Sequence, residues 1–531
     1  MRAKRSVAAL SGAVLVAVTT ACGGGQATDS AAASGGTCTA DRAGGKVTMG
    51  TYSEPRGLDP VGQPGNAVTG GTEITALFDT LIDWNAAKQA YEPRVAQSLE
   101  PDAQHVHWTL TLRPGVTFGN GDPLTAEDVK ASIARHQAPT NAQASRGEAA
   151  VISTVDVMDT KTVKFTLTGA YPDFPHVLST DVGMITNPRL VQQRGPEGFA
   201  KNPAGGGVGP YELERYAPGE EIVLKAKPSY WGGPVCVQTL RFIRLAGAEA
   251  TYQALANGEL DVAFLREPQV IAEARQAGYH DLPTLINYGE GVIMNSTPGK
   301  ATADPTVRRA VAAAVDPQGV NQRVFNGTAL ATSALVHPKT PGLYGGEQGP
   351  AHDPDAARRL VAQVKAAGWN GSISLVADNT PTRVNEAIAV KAQLESVGFS
   401  VRMETTQPLQ EVIKRVSVDR DYDLAIWGPQ IYAEGTWAAM SRQLTSTSPA
   451  NYYGYKNPDV DKALTELRAA SSADEKKAVL GRIQQLVDAD PFAANLAAFE
   501  ESNVYRDRVA GLQLSRGSIV RFDKAYVTDG S

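Results

Sequence analysis

From Val106 to Arg113 the chain reads VHWTLTLR, with Val106, Trp108, Leu110 and Leu112 on one face and polar side chains on the other. That two-residue period is the mark of a half-buried strand. Strand-like runs, alternating or continuously apolar, recur at VTMGT (47–51), TVKFTLT (162–168), EIVLKAK (221–227), LRFIRL (240–245), GVIMN (291–295), SISLVAD (372–378), FSVRMETT (399–406) and YDLAIWG (422–428). Helical periodicity fills the intervals, so the body is expected to be mixed α/β. Helix starts are well marked. Thr125 with Asp128 forms a capping box ahead of AEDVKASIARH. Asp304-Pro305, Asp353-Pro354 and Asn457-Pro458 each put a cap before a proline in the first turn. The helix begun at Asp353 is expected to stop at Gly368 in a left-handed cap.

At 531 residues and 42% hydrophobic composition, the chain is long enough for two or more domains with a large core. A net charge of -6 with no long basic run gives no electrostatic reason to bind nucleic acid or anionic lipid. The first 22 residues, MRAKRSVAALSGAVLVAVTTAC, combine a basic start with an apolar stretch too short to span a bilayer, which reads as an export signal. They end at Cys22 in a pattern that resembles a lipobox, so Cys22 is expected to carry lipid; Thr19 stands where that motif has Leu or Val. Residues 23–45 then read as a flexible tether rich in Gly, Ala and Ser. Outside the cytoplasm, the remaining Cys38 and Cys236 are a candidate disulfide pair, the alternative being two buried thiols. The expected location is the outer face of the cell membrane, held by lipid.

Candidates for catalysis are poor. There is no G-x-S-x-G elbow, H-E-x-x-H or P-loop, and AGGGVGPY (204–211) runs into Pro210 and a strand instead of a phosphate-binding helix. His105 and His107, two apart, would share a strand face; with no accompanying cysteine or acid set they read as rim histidines and not as a metal site. DRDYD (419–423) reads as solvated loop. The chain is therefore expected to bind, not to catalyse, with no cofactor and no metal.

A resemblance to the extracellular solute-binding proteins of peptide, dipeptide and nickel ABC importers, family 5, covers nearly the whole mature chain. It rests on collinear segments: SEPRGLDP (53–60), ALFDTLIDW (76–84), YEPRVAQSLEPD with HWTLTLRPGVTFGNGDPLTAEDVKASI (within 91–133), GVGPYEL (207–213), PSYWGGP (228–234), LANGELDVAF (255–264), MNSTPG with DPTVRRAVAAAVD (within 294–316), AARRLVAQVKAAGW (356–369) and NYYGYKNPDVDKAL (451–464). It implies a two-lobed, periplasmic-binding-protein-like α/β fold (type II, with an extra inserted subdomain) whose lobes are joined by two hinge strands and close over a ligand. Lobe I would take 46–72, 205–285 and 490–531, with 73–204 inserted, and lobe II 286–489. The implied partners are a small peptide or peptide-like ligand and the permease and ATPase subunits of an importer; the receptor itself is expected to be a monomer.

The resemblance nominates Tyr52, Ser53, Glu54 and Pro55 as cleft residues that follow an extended peptide, with Leu58, Asp59 and Pro60 shaping a turn. In DYDLAIWGPQIYAEGTW (421–437) the family has an aspartate that grips the peptide's ammonium; this chain has none there, and depending on the alignment Gln430 or Tyr432 takes its place. Trp427, Gly428, Pro429, Gln430, Tyr432 and Glu434 are the candidates on that wall. Glu434, or Glu54 across the cleft, could supply the missing charge. A buried ammonium without a counter-charge costs several kcal/mol, so a blocked or modified amine end is one expectation. The rings Tyr52, Trp427, Tyr432 and Trp437 also suit a sugar-like solute, a metal chelate or haem. An envelope sensor without a permease is the remaining alternative.

Overall fold

The computed structural model describes residues 37–62, 65–139 and 144–528. The expected signal segment and Cys22 lie outside these. Of the segment expected as a tether at 23–45, residues 37–45 are described and are attached to the body. Cys38 is bonded to Cys236, with 5.7 Å between their Cα atoms. Just beyond, the Arg42 guanidinium lies 5.0 Å from the centre of the Tyr526 ring, and the Gly44 amide donates to the Cys236 carbonyl at 2.8 Å.

One large mixed sheet organises the molecule. In chain order its main strands are β1 (Lys46–Thr51), β2 (Tyr211–Ala217), β3 (Glu221–Ala226), β4 (Thr239–Arg244), β5 (Val262–Leu265), β6 (His280–Met294), β7 (Ser372–Asp378), β8 (Ser400–Gln407), β9 (Leu424–Ile426) and β10 (Ala493–Tyr505). Across the sheet they run β8-β7-β9-β6-β10-β5-β1-β4-β3-β2, with short strands Leu330–Ala331 and Ile431–Tyr432 attached to β10 and β6. β7 is parallel to β8 and β9, and β1 is parallel to β4 and β5. The central pair, β6 and β10, is antiparallel and spans 15 and 13 residues. A separate antiparallel sheet of four strands, which includes His107–Leu112, lies between residues 96 and 167.

The buried apolar side chains divide accordingly. One core draws on 47–78, 184–264 and 509–525. A second draws only on 81–208. Two more draw on 288–496. β6 and β10 run from the first of these regions into the last, so any relative movement of the two ends must be taken up by this pair. β6 is irregular where that demand would fall: its register shifts between Ile286 and Gly291, and Tyr288 has φ 50°.

The caps expected from sequence form as such. Thr125 and Asp128 make a capping box, and Asp304, Asp353 and Asn457 each accept backbone N–H groups at their helix starts. The helix Pro354–Ala366 is followed by Gly368 at φ 102°. The histidine pair does not share a strand face. His105 sits in a turn at φ 54°, where the chain reverses before His107 opens its strand, and His107 is bonded to Thr166. In DRDYD, Asp419 and Asp421 pair with Lys414 and Lys300, whereas Asp423 turns inward and accepts from Ala301 and Ser374. No group of His, Cys, Asp and Glu placed to hold a metal occurs among the described residues.

Candidate functional site

From β7 the chain passes through the helix Pro381–Ser396 to β8, then crosses back over β7 to reach β9. The two connections diverge between β7 and β9. In open α/β sheets a crevice forms at the carboxyl ends of strands where connections part in this way. Here that place is marked by Asp378 and Trp427. Beside it, Arg383 is ion-paired to Glu290, on the irregular part of β6, and to Glu386 at 3.1 Å. Glu386 is fully buried, and burial pushes its carboxyl up to about 7 against the pull of Arg383.

The turn Trp427–Gln430 lies directly over the irregularity in β6. The Trp427 amide donates to the Gly291 carbonyl at 2.9 Å and the Gln430 amide to the Tyr288 carbonyl at 3.1 Å. Gly428 must be glycine, since a Cβ there would lie 1.7 Å from the Gly289 carbonyl oxygen. The indole N–H of Trp427 donates to the Tyr452 hydroxyl at 3.0 Å, and Gln443 ties Tyr453 (2.6 Å) to the carbonyl of the buried Pro429 (2.8 Å). Trp427 is therefore a fixed, half-buried wall. Gln430 has φ 60°, and its half-buried carboxamide makes no hydrogen bond among the described residues. Both its donor and its acceptor remain for a ligand.

Tyr432 belongs to a different group. Its hydroxyl donates to Glu501 at 3.3 Å; Ser518 donates to the same oxygen at 2.5 Å, and Arg266 lies 2.9 Å from the other. Glu501 sits on β10 and is completely buried; burial raises its carboxyl while Arg266 lowers it. The Arg266 guanidinium lies 5.1 Å from the Tyr52 ring centre and 4.8 Å from that of Phe499. Tyr52, at 39% exposure, is the outward ring of this stack.

The structure thus divides the nominated residues. Trp427, Gly428, Pro429 and Gln430 form one wall, and Tyr52 and Tyr432 meet through Arg266 and Glu501. Ser53 gives its hydroxyl to the Val68 carbonyl, and Pro55 is buried against Gly70. Glu54 accepts the Gly219 amide at 2.7 Å. Glu434 is buried and accepts the Gly517 amide at 2.7 Å, with burial raising its carboxyl. Each of these two acids already has a backbone donor, so neither is an unengaged substitute for the missing charge. Arg266, Glu290, Arg383 and Glu501 had no local signal in the sequence, because each acquires its role from a partner 93 to 235 residues away.

Next along the chain comes a seam between the second core and the last two. Trp437 meets Tyr171 edge to face at 4.8 Å between ring centres, and packs against both cores. The Arg468 guanidinium covers both rings at 5.1 and 5.7 Å and donates to Thr168 at 2.9 Å. Lys476 pairs with Asp173 at 2.7 Å.

A family model described as bacterial extracellular solute-binding proteins, family 5 Middle, matches residues 90–451. The chain is 27% identical over 485 residues to Protein XP55 of Streptomyces lividans, covering 88% of this chain and 86% of that protein. It is 26% identical over 487 residues to the "Probable D,D-dipeptide-binding periplasmic protein DdpA" of Escherichia coli K12, covering 86% and 88%. Among solved structures, the periplasmic binding protein DppA of Helicobacter pylori in complex with the peptide STSA superposes with a TM-score of 0.77 at 19% identity, over 92% of this chain and 98% of that one.

Proposed function

The chain belongs to the bacterial extracellular solute-binding proteins of family 5, and from that premise we propose that it captures a peptide or peptide-like solute outside the membrane and hands it to an ABC permease. The observation that carries the peptide reading is the match, over nearly nine-tenths of each chain, to a relative named for binding a D,D-dipeptide. The site is compatible with that cargo. It offers an unengaged carboxamide at Gln430, a fixed indole at Trp427 and an outward ring at Tyr52, which suit the amide groups and apolar side chains of a short peptide.

In this reading the lobes are 46–72 with 205–285 and 490–531, and 286–489, with 73–204 inserted in the first. The separate cores support a division of this kind, with Ile74, Leu77, Phe78, Met184 and Phe199 of the inserted segment packed in the first core and Phe492, Ala494 and Leu496 in the last two. β6 and β10 are the hinge. The receptor carries out no covalent chemistry, acts as a monomer and is held at the outer face of the membrane by lipid on Cys22. Replacing Cys22→Ser should move the protein from the membrane fraction to the medium; unchanged retention would count against the anchor.

Native mass spectrometry of the purified chain, followed by calorimetry with free and N-acetylated peptides, tests the function. A copurified peptide, or saturable peptide binding, supports it. A copurified sugar, metal chelate or haem and no peptide binding would replace it with the second reading, for which the rings Tyr52 and Trp427 provide the contact. Tight binding of free peptides that acetylation abolishes would overturn the expectation of a blocked amine end.

A further inference from the structure

Three segments remote in sequence meet at the seam beyond Tyr432: Thr168–His176, Glu434–Trp437, and the helical residues Arg468 and Lys476. Its contacts are of several kinds. Glu434 accepts the Gly517 amide. Gly435, at φ 72°, backs so closely on His176 that a Cβ would lie 2.2 Å from the imidazole. Trp437 and Tyr171 are packed ring to ring beneath Arg468. Arg468 has no carboxylate at ion-pair distance among the described residues, and its Nε is buried without a hydrogen-bond partner. Its cation is held by two rings, the Thr168 hydroxyl and the Gly169 carbonyl. A surface ion pair is easily exchanged with water, but a guanidinium pressed onto an aromatic pair is a fitted contact. The seam begins two residues after Tyr432, whose short strand pairs with β6 at Ile286 and Asn287, and through Trp437 it joins the second core to the third.

We propose that this seam shuts the cleft on its side, making Trp437 and Arg468 determinants of solute size: the protein accepts solutes short enough to be enclosed whole and rejects longer ones. This deepens the peptide reading and rests on it. With the seam formed, an extended chain continuing past Tyr432 would meet the Trp437 indole and the Arg468 guanidinium instead of solvent. A longer solute must break the seam or stay unbound.

The test is calorimetry with a peptide series from dipeptide to nonapeptide, on the wild-type chain and on Trp437→Ala and Arg468→Ala. In the wild type, nonapeptide affinity should be at least about tenfold weaker than that of the best short peptide, and the variants should narrow the gap by gaining affinity for long peptides. Equal wild-type affinity for all lengths would overturn the proposal. So would variants that weaken every length alike, because the seam would then be a closure contact with no role in selection. If Trp437→Ala does not fold, Lys476→Glu, which opens the half-buried Asp173 pair, takes its place. If no peptide binds at any length, the peptide reading fails. The size proposal, which rests on that reading, falls with it, whereas length-independent peptide binding overturns the proposal alone.

Discussion

Glu73 is a carboxylate in an unusual position. It lies on the helix Gly71–Phe78 at 1% exposure, and one of its oxygens has no hydrogen-bond partner. Burial, with a small contribution from Glu54, pushes its carboxyl from 4.5 to about 7. The folded protein therefore holds this proton more tightly than the unfolded chain does. The corresponding stability is fully present below the unfolded value and is lost as pH rises through about 7, a change on the order of 3 kcal/mol. Buried Asp181 and Glu386, also raised to about 7, act in the same direction. Thermal melts should show a higher midpoint near pH 5 than near pH 8, with a shallower slope in Glu73→Gln. An unchanged slope in that variant would mean that Glu73 is not the titrating group.

At the scale of elements, the closest backbone approach at the site is between the Trp427–Gln430 turn and β6. Gly428→Ala must displace the Gly289 carbonyl, and Gly289→Ala must displace the Phe499 ring, which would stand 1.9 Å from the new Cβ. Each should destabilise by about 3 kcal/mol or more. The Gly428 variant should also lose solute affinity, because its turn carries Gln430; retained affinity would separate the turn from the site. Ser472→Ala, which removes the capping box of the helix Ala473–Ala489, should cost about 1 kcal/mol and leave binding intact. Caps and alternating strands were legible in the sequence because neighbouring residues determine them. The strands β6 and β10 were largely missed. In β6 only GVIMN has a strand-like run, and AANLAAFEESNVY lacks a clean apolar alternation, because Asn495, Glu501, Ser502 and Asn503 are buried polar residues. Their partners, Ala334, Arg266, Asp281 and Ser518, come from elsewhere in the chain. The same reason hid half of the site: Trp427 and Gln430 were found from a local motif, but Arg383 paired with Glu290, and Arg468 laid over Trp437, exist only once the chain has folded.

For the whole molecule, the arrangement is a set of packed cores: Trp231 and the Arg516–Asp181 and Arg521–Asp83 pairs join the first to the second, and the antiparallel pair β6 and β10 and the Trp437 seam reach the last two. The only covalent link across the chain among the described residues is Cys38–Cys236, closing a sequence separation of 198. Replacing both cysteines by serine should lower stability by about 2–5 kcal/mol, read as a drop in melting temperature that added reductant reproduces in the wild type. Binding should survive, since both cysteines pack beside Ala510 and Tyr526 and away from β7 and β9. The position of the bridge also has a mechanical meaning. A pull on the chain ahead of Cys38 is received there and shared at once with Cys236 and the neighbouring carboxyl-terminal strands. The load stays within one half of the protein, so tension on the chain ahead of Cys38 would not be passed to β6 and β10.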